Sequence, residues 1–298
     1  LPQYTALRVI GGAAAWFRIA LPDGTHGFIA ARLTEAADEP LRITVIAQHF
    51  RTLEAELPEI FARIEPAEPL PEAPPIYLPS IDVHDFFSGL HEANHVELGE
   101  RSCLASIWMG TRTRIAAHND FPDNLACVAV GRRRLTLFPP DQFRNLYLGP
   151  VDNTPAGRAV SMVDFHAPDF DSFPRFREAL RHASVAELAA GDALYIPSTW
   201  WHHIEGLDPF NVLVNYWWRD TPRWLGQPQD ALNHAMMAIR DLPAEEKRHW
   251  RDLFDHYVFE NDEEVVAHIP ARARSVLAPL TAESAGRIRA YLLRMLSR

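Results

Sequence analysis

The sequence predicts a mainly β domain, an antiparallel sandwich or barrel with helical additions, and a helical tail. Three observations point there. From Ile76 to about Trp218, short apolar runs follow one another, "LASIWMG", "LACVAVG", "RLTLFPP", "ALYIP" and "NVLVNYWW", separated by turn residues and longer loops. No helix-length amphipathic segment alternates with these runs, which argues against a parallel α/β sheet. After Trp218 the apolar spacing changes to that of helices.

In chain order, residues 1–75 read as a mixed α/β addition to the core. "LRITVIA" at 41–47 reads as a strand and "FRTLEAELPEIFARI" at 50–64 as a helix. "EPAEPLPEAPP" at 65–75 reads as an extended surface connector with no core of its own. Residues 76–226 form the expected core and 227–298 a helical segment. There, Leu232, Met236 and Ile239 make one stripe, Trp250, Leu253 and Tyr257 a second, and Ile288, Leu292 and Leu296 a third.

Composition narrows the function. With 298 residues and 47% hydrophobic content, the chain can bury a large core. A formal charge of −10 disfavours a nucleic-acid-binding role. The two cysteines, Cys103 and Cys127, lack metal-site spacing and read as reduced thiols in apolar runs. No apolar stretch reaches the ~18 residues that span a bilayer, and Arg8 and Arg18 break the opening segment as a secretion signal. A cytoplasmic location is the expectation, and a start at Leu1 rather than Met reads as a fragment of a longer chain.

"AAHNDFPDN" contains His118 and Asp120. In an extended segment residues i and i+2 share a face, so imidazole and carboxylate converge while Asn119 faces away. A further histidine would complete a two-His-one-carboxylate triad, which holds Fe(II) and leaves positions open for other ligands. "PSTWWHHIEG" at 198–207 offers one: neighbours on a strand point oppositely, so one of His202 and His203 faces inward. In "GRRRLTLFPP" alternation sets Arg133 with Leu135 and Leu137 on the buried face, and Arg132 and Arg134 on a solvated edge. A buried guanidinium requires an anion, either a protein carboxylate or that of a ligand. Asn215 shares a face with Leu213 and Trp217 and needs a polar partner, and Asn124 lies near the His118/Asp120 pair.

These segments resemble the cupin-like JmjC hydroxylases, which are Fe(II)- and 2-oxoglutarate-dependent oxygenases. Within that family they resemble the asparaginyl hydroxylase that inhibits the hypoxia-inducible factor. The likeness runs from "IYLPS" (76–80) through the His118–Asp120 segment, "LFPPDQF" (137–143), "VDFHAPDFDSFPRF" (163–176) and "GDALYIPSTWWHHIE" (191–205) to "VNYWW" (214–218). The resemblance implies a double-stranded β-helix, the cupin jelly roll. It implies that His118, Asp120 and His202 bind iron, with His203 pointing away. Arg133 stands where the family usually has a lysine for the distal carboxylate of 2-oxoglutarate, and Tyr77, Asn124 and Asn215 match groups near that cosubstrate. Trp200, Trp201, Trp217 and Trp218 are expected to wall the pocket.

Ile115 departs from the pattern. It replaces a threonine hydroxyl, a loss of roughly 0.5–1.5 kcal/mol of hydrogen bonding to the cosubstrate. The activity implied is hydroxylation of a protein or small-molecule substrate, coupled to conversion of 2-oxoglutarate to succinate and CO2. Two other readings stand beside it: a cupin enzyme using the same metal without 2-oxoglutarate, and a non-catalytic metal-containing sensor. The related enzyme pairs through C-terminal helices, so a homodimer through the helices after Gln227 is expected.

Overall fold

A computed structural model of the chain describes residues 8–13, 16–20, 26–30, 42–47, 51–56 and 75–297, apart from 88, 95, 152–153 and 155–157. Five strands precede the core: β1 (Arg8–Ala13), β2 (Trp16–Ala20), β3 (His26–Ala30), β4 (Arg42–Ala47) and β5 (Arg51–Glu56). The core adds β6 (Ile76–Asp82), β7 (Leu104–Gly110), β8 (Arg114–Asn119), β9 (Asp123–Val130) and β10 (Arg133–Phe138). It closes with β11 (Ser184–Leu188), β12 (Ala193–Ile196), β13 (Trp201–Gly206) and β14 (Asn211–Trp218).

Two antiparallel sheets result. The larger runs β1-β2-β3-β9-β14-β7-β6-β4-β5 with β12 on β9, and the smaller runs β11-β10-β13-β8. Strict alternation of buried and half-buried residues along β9 is what a strand with one core face requires. The inner faces meet in a cluster of Ala126, Val128 and Leu213 from the larger sheet with Leu135, Leu137 and Leu188 from the smaller. This is the jelly-roll arrangement expected of a cupin. The outer face of the larger sheet packs under the short helices Val83–Phe86 and Leu90–Asn94 through Leu78, Val83, Phe87, Leu90 and Ile107. A third cluster, with Phe138, Leu146, Phe176 and Trp201, covers the outer face of the smaller sheet.

Gly131 turns the chain from β9 to β10, and so from one sheet to the other. Its φ is +73°, and a Cβ there would lie 2.6 Å from Asn211 Oδ1 and 2.5 Å from the Phe210 carbonyl oxygen. Only glycine fits both the left-handed backbone and that close approach.

The expected helix over 50–64 is corrected. Residues Arg51–Glu56 form β5, paired antiparallel with β4 from Ala47↔Arg51 to Arg42↔Glu56; 57–64 lie outside the described residues, as does 65–74 of the expected connector. Leu, Glu and Ala favour helix locally, but the edge of β4 arrives a few residues earlier and offers a full ladder, so tertiary pairing overrides propensity. The strand expected over 41–47 is present as β4, which also pairs with β6.

The chain divides into two compact units, Leu1–Arg219 and Asp220–Arg298. The second is helical: Pro228–Ile239, Ala244–Phe254 running on into a π-helical turn Asp255–Phe259, and Ala282–Leu296. Pro228 fits the first turn of its helix, where no N–H is needed. Thr281 and Ser284 form a capping box at the start of the last helix. No helix among the described residues is long and apolar enough to cross a membrane.

Candidate metal centre

β8 and β13 are neighbours in the smaller sheet, and His118 lies opposite His202 in their register. Their ring centroids are 4.4 Å apart. Asp120 follows the end of β8, held where its carbonyl accepts a 2.8 Å hydrogen bond from the Thr199 N–H. Its Oδ2 lies 3.5 Å from His202 Nε2. One ligand atom from each of His118, Asp120 and His202 lies within 4.8 Å of the others, a group that could hold a metal ion.

The imidazoles are preset for that role. His118 Nδ1 donates to the Ala116 carbonyl oxygen at 2.9 Å and His202 Nδ1 to that of Trp200 at 3.0 Å. A carbonyl oxygen only accepts, so Nδ1 carries the proton and Nε2 keeps its lone pair for a metal. Burial, reinforced by the neighbouring His202, pushes His118 down to about 4. Burial alone would raise Asp120, but its contact with His202 and the nearby His118 and Arg158 hold it below the usual carboxylate value. Neutral imidazoles and an ionised carboxylate are the states in which these groups bind a divalent ion. The donor set, two nitrogens and one oxygen on one side, fits Fe(II).

A β-bulge between His202 and Ile204 shifts the register, so that Ile115 pairs with Ile204 and His118 with His202. The extra residue on β8 keeps both Ile115 and His118 on the inner face.

The other expected site residues gather around Trp108, which sequence reasoning missed. Arg133 is 3% exposed; its Nη2 donates to the Trp108 carbonyl oxygen at 3.2 Å, while its Nε has no partner. No Asp or Glu pairs with it among the described residues, so an internal salt bridge does not account for its burial. Burial brings the guanidinium down to about 10, so it stays cationic at neutral pH. Trp108 Nε1 donates to Asn215 Oδ1 at 2.7 Å, and Asn215 Nδ2 donates to Asn124 Oδ1 at 3.2 Å. Tyr77 stacks on Trp108 with centroids 6.1 Å apart. Its phenol is pushed above the ordinary tyrosine range by burial, with the Arg133 charge opposing. Alternation along "LASIWMG" was the available signal for Trp108, since it sets Ser106, Trp108 and Gly110 on one face.

Two of the four expected wall tryptophans are corrected. Trp201 lies on the opposite face of β13 from His202 and packs with Phe138 and Phe176. Trp218 lies on the outer face of the larger sheet, stacked with Tyr195 at 6.0 Å. Strand alternation forbids consecutive residues from sharing a face. Trp217 does face inward, edge-on to Trp108 at 5.6 Å with its Nε1 unpartnered, and Trp200 packs on the inter-sheet cluster.

His203 faces away from the centre yet is buried, stacked on Phe165 at 4.4 Å. Beside it, His166 Nε2 contacts Glu205, which Arg134 also faces at 3.7 Å. Arg132 and Arg134 lie at the expected edge, paired to Asp208 at 2.8 Å and Glu187 at 2.7 Å. Cys103 and Cys127 are half-buried and form no disulfide.

Residues 32–223 match the family model described as a cupin-like domain. The chain is 34% identical over 119 residues to lysine-specific demethylase JMJ31 of Arabidopsis thaliana, covering 39% of this chain and 21% of that protein. It is 28% identical over 163 residues to human HSPB1-associated protein 1, covering 52% and 32%. It is 34% identical over 152 residues to mouse tRNA wybutosine-synthesizing protein 5, covering 46% and 44%. The chain thus spans less than half the length of each of these relatives. With the family match extending across most of its residues and both sheets in place, the chain belongs to the cupin-like domain family.

Proposed function

We propose that the chain is an Fe(II)- and 2-oxoglutarate-dependent oxygenase that hydroxylates a protein or small-molecule substrate. The observation that carries this reading is Arg133: a buried cation with no acidic partner among the described residues and an unpartnered Nε, set on the inner face with the metal triad. Such a group calls for an anionic ligand. The names of two relatives, a demethylase and a tRNA wybutosine-synthesizing protein, support an enzymatic role.

When bound, iron together with 2-oxoglutarate and O2 supplies the oxidising chemistry, and the cosubstrate leaves as succinate and CO2. The protein's part is geometry. His118, Asp120 and His202 hold the ion from one side, their Nδ1 hydrogen bonds fixing both rings. Arg133 grips the far carboxylate as a planar fork. Tyr77, kept neutral by its surroundings, has a hydroxyl proton to donate to the same carboxylate. Asn124 and Asn215 set the polar edge, locked by Trp108. The apolar inter-sheet cluster keeps water from the deep end of the pocket.

The reading includes a homodimer through the helices after Gln227. Apolar residues of these helices lie open in the single chain: Leu232 is 50% exposed, Leu292 38% and Leu296 56%. A surface of this kind is typical of a buried interface between copies.

Anaerobic titration of the Fe(II)-loaded protein with 2-oxoglutarate tests the cosubstrate assignment. Stoichiometric, metal-dependent binding is expected. Metal binding without any 2-oxoglutarate binding would favour a cupin enzyme of another kind, for which Ile115 on the inner face already removes one hydroxyl.

A further inference from the structure

Resting on the oxygenase reading, we propose that Arg158 is the residue by which this centre recognises its substrate, gripping an anionic group, carboxylate or phosphate, on the molecule to be oxidised.

The position follows from the chain path. β8 ends the smaller sheet, and its outer edge is lined by a ribbon in which Leu148 bridges Ser161. Gly149 N–H donates to the Val160 carbonyl at 2.8 Å and Met162 N–H to that of Tyr147 at 3.0 Å. Ser161 N–H donates to the Ala117 carbonyl at 2.7 Å, which fastens the ribbon beside His118. Arg158 stands three residues back along that ribbon, and its guanidinium carbon lies 3.9 Å over the ring of Phe121, the residue after Asp120. The Arg158 backbone is anchored at both polar groups: its N–H donates to Thr154 Oγ1 at 2.9 Å, and its carbonyl accepts from the same hydroxyl at 2.7 Å.

The side chain has no acidic partner among the described residues, unlike Arg132 with Asp208 and Arg134 with Glu187. Stacking engages only the face of the guanidinium, so its N–H edge stays open for a bidentate anion. In a chain of net charge −10, a half-buried arginine held on an aromatic ring without a counter-charge is a placed cation. With Arg133 counted, a divalent ion, one aspartate and a dianionic cosubstrate would balance, so Arg158 has no counter-charge at the centre. Arg133 is committed to the cosubstrate, which leaves Arg158 as the cation open to an anionic group on the substrate.

The test uses the full chain and three probes: N-acetyl-aspartate amide, N-acetyl-phosphoserine amide and the neutral N-acetyl-asparagine amide. Saturation-transfer NMR on the protein with Mn(II) and excess 2-oxoglutarate should show at least one anion bound about fivefold more tightly than the neutral probe. The bound anion's protons should be broadened by Mn(II). Arg158→Ala should erase the preference and Arg158→Lys retain part of it; the aspartate and phosphoserine arms decide which anion is read. An equal preference in Arg158→Ala, no preference in the wild type, or binding without broadening while Mn(II) is held would each overturn the proposal. The same comparison in the metal-free protein still reads Arg158. Loss of 2-oxoglutarate binding alone therefore counts against the oxygenase reading and not against this residue.

Discussion

His118 and His202 face each other across adjacent antiparallel strands, in Cα register, each with Nδ1 turned to a backbone carbonyl and the Nε2 lone pair available to a metal. The carbonyls belong to Ala116 and Trp200, each two residues before its histidine. The local backbone therefore sets both tautomers, and the sheet register sets their separation.

From this, His202→Ala is expected to abolish stoichiometric Fe(II) binding, measured by anaerobic titration. His203→Ala should keep it, because that ring lies on the other face against Phe165. Loss of the stacked ring should instead lower stability by roughly 1–3 kcal/mol in denaturant unfolding. Metal loss in His203→Ala with retention in His202→Ala would refute the register.

Arg133→Ala removes the buried cation but no metal ligand. The expected outcome is 2-oxoglutarate binding weakened by roughly 2–3 kcal/mol, the scale of hydrogen bonds to a charged group, with Fe(II) affinity little changed. Calorimetric titration of each ligand separates the two. Unchanged cosubstrate affinity with marked destabilisation would mean that Arg133 serves the fold alone.

Asn215 is 1% exposed and joins Trp108 to Asn124. Asn215→Ala leaves a buried indole N–H without its acceptor, at a cost of roughly 1–3 kcal/mol. Both thermal stability and 2-oxoglutarate affinity should fall, since the network that positions Trp108 also carries the Arg133 contact. Asn215→Ala binding the cosubstrate as wild type does would show that the network is purely structural.

The dimer proposed through the C-terminal helices is tested by particle mass. Light scattering should give about twice the 33.8 kDa chain mass, and truncation near Gln227 should give a monomer or an aggregate. A monodisperse full-length monomer at micromolar concentration would contradict the dimer.

Much of this was legible in the sequence because strand period is local. The alternation that put Arg133 with Leu135 and Leu137 on one face holds in β10, and the same logic brought Asn215 inward on β14. The spacing of His118 and Asp120 and the inward turn of His202 needed only strand geometry and the resemblance. What was not legible depends on contacts between distant segments. β5 is a strand because β4 offers it an edge, against the helical preference of its own residues. Trp108 acquires its place only when β7 pairs with β14, which brings residues 107 positions apart into a hydrogen bond. His203 is buried because Phe165 arrives from another part of the chain, whereas one-strand reasoning could say only that it points away. Trp201 and Trp218 each stand beside another tryptophan, and strand alternation sends one of each pair away from the pocket.

The most direct test of the central claim is succinate formation by the purified chain incubated with Fe(II), 2-oxoglutarate and O2, with a cell extract supplying substrates. The account predicts succinate well above the extract blank, dependent on added Fe(II), absent in His118→Ala and His202→Ala and strongly reduced in Arg133→Ala. A product one oxygen atom heavier should be detectable by mass spectrometry. Intact Fe(II) binding with succinate no higher than in the His202→Ala control would contradict it.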